Sequence, residues 1–172
     1  VTDERTLLLR TRRGDEASAR ELWARLAPRL LAYARGLVGQ AGDDAVQEAF
    51  CAILQRPVRE LKRVEEPGAW MARLVRNAAI NAVRTESRER ARRTGHTPAS
   101  PGQPRVDDDT RRAMDELDPD ARELLLLKHA AGLTFDQIAL TLGLNRSTAA
   151  SRYRSARDEL SRLLEGTPEP TT

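Results

Sequence analysis

Apolar residues in this chain recur three and four positions apart, and nowhere do Val, Ile or Thr alternate with polar residues; the pattern predicts helices and no strands. A short opening helix runs to about Arg13. Gly14-Asp15 then restarts a longer one, in which Leu22, Leu26, Leu30, Tyr33 and Leu37 keep helical spacing to near Gly39. Pro28 lies inside that pattern, and because proline has no N–H to donate, a kink or break is expected there. A third helix is predicted over residues 43–55 and a fourth over 67–93, with a polar loop at 56–66 between them. Residues 94–106 read Thr-Gly-His-Thr-Pro-Ala-Ser-Pro-Gly-Gln-Pro-Arg-Val, a composition that cannot build a packed core and is expected to be an exposed linker.

Beyond the linker every joint carries a signal. Asp118-Pro119 is an N-cap followed by a residue suited to the first helical turn, and Gly132 ends the helix so opened. Thr134-Phe135-Asp136-Gln137 has the spacing of a capping box, Gly143 stops the short helix it starts, and Asn145 caps the next. At about 100° per residue, Ala149, Tyr153, Ala156, Leu160 and Leu163 of that last helix fall on one stripe and should pack inward. Ser147, Ser151, Arg154 and Ser155 fall opposite, with Arg146, Arg152 and Arg157 on the flanks. Two tight helices, the second presenting small hydroxyls and arginines outward, make a helix-turn-helix suited to a DNA major groove. A plain helical bundle with a solvated arginine face is the alternative.

Two further faces stand out. In the fourth helix Trp70, Arg73, Asn77, Asn81, Arg84 and Arg88 lie within about 80° of arc, opposite an apolar side of Leu74, Val75, Ala78, Ala79 and Ala82. An aromatic heading an Arg/Asn stripe can stack a base while the others hold the backbone. In the third helix Asp44, Gln47, Glu48, Cys51 and Gln55 share a stripe opposite Val46, Ala49, Phe50 and Ile53. Acidic and amide groups repel DNA phosphate, so this face reads as either a protein-docking surface or a solvated one.

Composition adjusts this picture only slightly. At 172 residues and 40% hydrophobic, the chain can hold one or two small helical domains, and the net charge of +3 is mildly basic. Distribution says more than the total, since residues 70–93 carry seven Arg against two acids while Asp107–Asp109 is an acidic run. The single cysteine, Cys51, excludes an internal disulfide and suits a reducing compartment. Leu7-Leu8-Leu9 is far too short to cross a membrane and no signal peptide is seen, so a cytoplasmic protein without membrane insertion is expected. His96, His129 and one cysteine make no metal constellation, and no phosphate-binding glycine loop occurs; neither a cofactor nor an enzyme activity is expected.

These segments, in this order, resemble the extracytoplasmic-function (ECF) group of bacterial sigma factors in the sigma-seventy superfamily. The similar residues are Leu31-Ala32-Tyr33-Ala34, Asp43 through Phe50, and Trp70-Met71-Ala72-Arg73-Leu74-Val75-Arg76-Asn77. In the second block they are Leu117 through Arg122, Gly132 through Ala139, and Ser151 through Arg157. The resemblance implies an all-α fold of two small helical domains joined by a flexible linker. Sigma domain two would span 1–93, the linker 94–113, sigma domain four with its helix-turn-helix 114–164, and a disordered tail 165–172. It further implies that Asp43, Asp44, Gln47 and Glu48 bind the clamp of core RNA polymerase. Trp70, Arg73, Asn77, Asn81, Arg84 and Arg88 would hold the minus-ten element of promoter DNA, with the 56–66 loop receiving a flipped base. Arg146, Ser147, Thr148, Ser151, Arg152, Arg154, Ser155 and Arg157 would read the minus-thirty-five element.

The chain departs from the family pattern at Ala41-Gly42, where an acidic and a small residue are usual, at Asn81 in place of Asp, and at Ala149-Ala150 in place of Val-Lys. An anti-sigma protein is a further partner left open, as is the role of Asp107–Asp109. A free-standing dimeric helix-turn-helix regulator is the alternative function.

Overall fold

A computed structural model describes residues 2–92 and 108–166, with side chains described for 2–85 and 109–166. The elements are α1 (Glu4–Arg12), α2 (Glu16–Val38), α3 (Ala41–Gln55), α4 (Val58–Leu61), α5 (Pro67–Arg92), α6 (Asp108–Glu116), α7 (Pro119–His129), α8 (Phe135–Leu142) and α9 (Arg146–Glu165), and no strand occurs among the described residues. The linker segment 94–106 and the tail beyond Gly166 lie outside the described residues.

Local chemistry accounts for most boundaries. Asp3 and Asp15 accept from backbone N–H groups one turn on, capping α1 and α2, and those hydrogen bonds hold both carboxyls below the usual carboxylate range. The Thr134–Gln137 capping box is closed in both directions, at 3.2 and 2.9 Å. Gly143 ends α8 at φ +68°, a left-handed conformation that a β-carbon would strain, and Asn145 then caps α9.

Three expectations need correction. Of the kink or break expected at Pro28, the break does not occur: α2 is continuous from Glu16 to Val38. Pro28 and Ala24, whose carbonyl loses its partner, are both exposed, so the freed carbonyl is open to solvent rather than buried unpaired. The 56–66 segment is not simply a polar loop, because it contains α4 and drives Leu61 and Val64 into the core. Helical structure also begins at Asp108, inside the 94–113 stretch assigned to the linker. Asp108 and Asp109 stand in the first turn of α6, where the unpaired N–H groups favour negative charge.

Helices α2, α3 and α5 form one bundle, with α1 laid across it. Its core is Leu22, Leu26, Leu30 and Tyr33 from α2, Val46 and Ile53 from α3, and Met71, Ala72, Val75 and Ala79 from α5. Ala82, expected on the same stripe, is exposed because the bundle ends before that turn of α5. Packing fixes the residue at position 42. A β-carbon there would lie 2.5 Å from the carbonyl carbon of Ala34, so only glycine lets α2 and α3 approach this closely.

The second block packs α7, α8 and α9 about each other, with α6 against α9. As expected, Ala149, Tyr153, Ala156, Leu160 and Leu163 face inward. The two blocks are not separate bodies. Leu124, Leu127, Leu133, Ile138 and Ala149 belong to the same apolar cluster as the first block's core, with α8 resting on α5 and α7 on α2.

Candidate nucleic-acid interface

The outward side of α9 is largely as its angles predict. Arg146, Ser147, Ser151, Arg152, Arg154, Ser155 and Arg157 are exposed; Thr148 is half-buried. Several are already engaged. Arg146 pairs with Asp136 at 3.3 Å, Arg157 with Asp158 at 2.9 Å, and the Ser147 hydroxyl donates to Asn145 at 2.7 Å. Arg154 makes no ion pair among the described residues, which leaves its guanidinium available in the middle of the face. Arg152 lines a cleft with Arg76, Asp120 and Glu123 and, together with Ser151 and Ser155, also borders a shallow depression beside Asp118, Asp120 and Glu159.

On α5, Arg73, Asn77, Asn81 and Arg84 are exposed along one stripe, and Trp70 at its head is half-buried against the core. Arg88 lies on the part of α5 whose side chains are outside the described residues. Trp70 and Arg73 open onto a pocket of about 410 Å³ whose other walls are Arg56, Glu60, Arg63, Val64, Glu65, Glu66, Ala69 and Leu140. An aromatic ring, three arginines and three glutamates thus line an open recess at the place where the 56–66 segment meets α5. Leu140 comes from α8, in the other block, and was not foreseen.

The polar stripe of α3 is exposed at Asp43, Asp44, Gln47 and Glu48. Asp43 is not free: Arg35 donates to both its oxygens, at 2.6 and 2.8 Å, and this bidentate contact holds the carboxyl below the usual range and raises the guanidinium. Beside the stripe runs an apolar groove of about 520 Å³ between α2 and α3, formed chiefly by Trp23, Phe50 and Leu54 with Gln47 and Cys51 at its edge. Trp23 is 42% exposed and Leu54 54%. The periodicity that places Phe50 inward gives no sign that Trp23, its ring 4.6 Å from that of Phe50, turns toward solvent.

Sequence reasoning also missed the polar contact between the blocks. Glu123 of α7 is buried at 6% exposure, accepts from the Tyr33 hydroxyl at 2.8 Å, and receives both Nε and Nη2 of Arg76 at 2.6 and 3.0 Å. Burial, then the charge of Glu123, push the Tyr33 phenol up, and the Glu123 hydrogen bonds raise Arg76. The one available signal was a carboxylate embedded in the apolar run before Leu124-Leu125-Leu126-Leu127.

His129 contacts the Tyr153 hydroxyl at 2.9 Å, whereas His96 lies outside the described residues. No cluster of metal-ligating side chains occurs among the described residues, and none of the described helices is long and apolar enough to cross a membrane.

Residues 22–89 match the family model for sigma-70 region 2, and residues 107–160 that for sigma-70 region 4. The RNA polymerase sigma factor CarQ of Myxococcus xanthus is 29% identical over 90% of this chain and 94% of its own length. The ECF RNA polymerase sigma factor EcfG of Rhodopseudomonas palustris is 32% identical over 80% of each chain. Among solved structures, the sigma factor RpoE of Bartonella quintana, in complex with the anti-sigma factor NepR, superposes with a TM-score of 0.69 at 23% identity, over 87% of this chain and 98% of that one. CnrH in complex with the cytosolic domain of CnrY gives 0.68 at 23% identity, over 96% and 99%. These two likenesses bear on the fold. With both regions matched in order and the EcfG likeness extending over four-fifths of each protein, the chain belongs to the ECF family of RNA polymerase sigma factors.

Proposed function

We propose that this sigma factor recruits core RNA polymerase through α3 and reads its promoter at two places, α5 and α9. The observation that carries the reading is the pocket in which Trp70 stands among Arg56, Arg63 and Arg73, with Glu60, Glu65 and Glu66 on its other walls. A dimeric repressor that reads only duplex DNA has no use for such a recess. A protein that captures a base leaving the stack needs an aromatic surface for the ring and cations for the flanking phosphates. Arg73, Asn77, Asn81, Arg84 and Arg88 then follow the single strand, while Arg154 and the serines of α9 enter the major groove of the upstream element.

Asp44, Gln47 and Glu48 form the polymerase face, with the Trp23–Phe50–Leu54 groove supplying apolar area next to the charge. Asp43 contributes by fixing α3 on α2 through Arg35. The domain limits follow the same reading: 1–93 for domain two, 114–164 for domain four proper, α6 as its lead-in, and residues 94–107 as the connection. The protein works in the cytoplasm and is a specificity subunit rather than an enzyme. An anti-sigma protein is a fitting regulator, since the sigma factor RpoE, of similar fold, was solved with such a partner.

Gel filtration with purified core polymerase, followed by run-off transcription on genomic fragments, tests the proposal. Co-elution with core and a discrete run-off product are expected. A chain that elutes as a dimer and ignores core would be a free-standing regulator instead.

A further inference from the structure

One wall of the recess proposed for a flipped base is a segment with little structure of its own. α4 is a single turn of four residues, too short to be stable through its own hydrogen bonds, and Leu61 and Val64 are its apolar anchors. Yet Arg56, Glu60 and Arg63 of this stretch all line the recess. Two side chains of α1 hold it from outside. Arg12 donates through Nε to the Arg56 carbonyl at 2.7 Å, and Arg5 through Nη2 to the Lys62 carbonyl at 2.5 Å. Arg56 is the C-cap of α3 and Lys62 that of α4. Carbonyls at a helix C-terminus lack the N–H of a following turn, so the two guanidinium groups complete both helix ends.

α1 is itself a firm support. Leu7 and Leu8 are buried in the core, Asp3 caps the helix, and Glu4 pairs with Arg29 of α2 at 2.8 Å. The stretch matched to sigma-70 region 2 begins at residue 22, so α1 precedes it; Arg12 and Arg5 lie 44 and 57 positions before the carbonyls they hold.

From these contacts we infer that Arg5 and Arg12 are positioning residues for base capture: they pin both ends of the 56–62 segment and so set the spacing of Arg56, Glu60 and Arg63 around Trp70. The inference rests on the functional reading above. Neither arginine lines the recess, so each acts through the backbone it holds and not on the base. A pocket selects one base only while its walls stay in place, because polar groups free to shift by about 1 Å pair almost equally well with several base edges. A released segment should therefore leave a recess that still binds single strands through Trp70 and Arg73 but prefers no base. The rival role for both arginines is that of plain cations attracting phosphate.

Two substitutions separate these roles. Arg12→Gln keeps an N–H donor at the place of Nε and removes the charge, whereas Arg12→Met, of similar length, removes both. Each full-length variant is assembled with core polymerase. Anisotropy is then read with fluorescein-labelled single-stranded 12-mers from the non-template minus-ten strand of a promoter recovered by run-off transcription, with all four bases placed in turn at each position. At one position at least, the parent should prefer one base by about tenfold, the scale of a paired base edge, and Arg12→Met should reduce that ratio to about twofold. Arg12→Gln should keep the parent ratio. Amide hydrogen exchange across residues 58–63 should quicken in Arg12→Met and not in Arg12→Gln, with co-elution with core unchanged in both. Arg5→Met, at the other end of the segment, should act in the same direction and carries the comparison if Arg12→Met does not assemble with core. Equal preference in the parent and the Met variants overturns the inference. Equal loss in Arg12→Gln and Arg12→Met overturns it too, because charge alone would then be at work. A parent indifferent to the base at every position overturns the recess reading itself, and base positioning falls with it.

Discussion

At the scale of single residues, the same side-chain type does different work according to what surrounds it. Arg154 stands in the middle of the α9 face with no ion pair among the described residues, whereas Arg152 borders a cleft shared with Asp120 and Glu123. Arg154→Ala should therefore relax sequence preference at the upstream element, losing about 1–3 kcal/mol if a bidentate base contact goes. Arg152→Ala should weaken binding evenly across sequences and lower the salt slope by about one. Quantitative gel shifts over a salt series separate the two, and equal shifts in specificity would mean that α9 is oriented differently in the groove. Trp70 is both a recess wall and a partner of the core. Trp70→Ala should slow open-complex formation roughly ten- to a hundredfold, since base stacking is worth about 1–3 kcal/mol, and it should also lower the melting temperature by several degrees. Permanganate reactivity on duplex and pre-melted templates isolates the first effect, because the bubble template recovers only the loss that belongs to melting.

At the scale of elements, the faces are set by helical period and the contacts between them by space. Asp44 and Glu48 are exposed while Val46, Ala49 and Ile53 of the same helix are buried. Asp44→Arg with Glu48→Arg should abolish co-elution with core polymerase and leave the circular dichroism spectrum unchanged; retained binding would reduce the stripe to a solvated face. Gly42 makes a different prediction. Its Cα hydrogen points at the α2 backbone, which cannot swing aside as a flexible side chain would. Gly42→Ala should therefore cost about 1–3 kcal/mol by overpacking, read as a lower denaturation midpoint with an unchanged m-value. The elements legible in the sequence were those with end signals: the Asp118 cap, the Thr134 box, Gly143 and Asn145 all act where the reading put them. Continuity through Pro28 was not legible, because whether water can serve the freed carbonyl depends on which side of the bundle it faces.

At the scale of the whole molecule, the described parts of both blocks share one apolar cluster, so heat should unfold them together. Differential scanning calorimetry should show a single transition for the parent chain. Glu123→Ala should lower it, since the Tyr33 hydroxyl and the half-buried Arg76 lose their shared partner, at a cost below the about 3–5 kcal/mol of a fully buried pair because water reaches the guanidinium. Two separate transitions in the parent would mean that the blocks fold independently and that their contact is weak. The sequence by itself determined the helices, the inward and outward sides of α3, α5 and α9, and the family, because each depends on neighbours within a turn or two of the chain or on motifs in order. Only the tertiary structure decided that Leu140 walls a recess in the other block, that Trp23 turns outward beside Phe50, and that Glu123 is buried between Tyr33 and Arg76. Those contacts join residues far apart in the chain: Trp23 and Phe50 are 27 positions apart, and Arg76 and Tyr33 lie 47 and 90 positions from Glu123. No local period or cap records such a pairing; it exists only because packing the two apolar faces brings the groups together and burial then obliges each polar atom to find a partner.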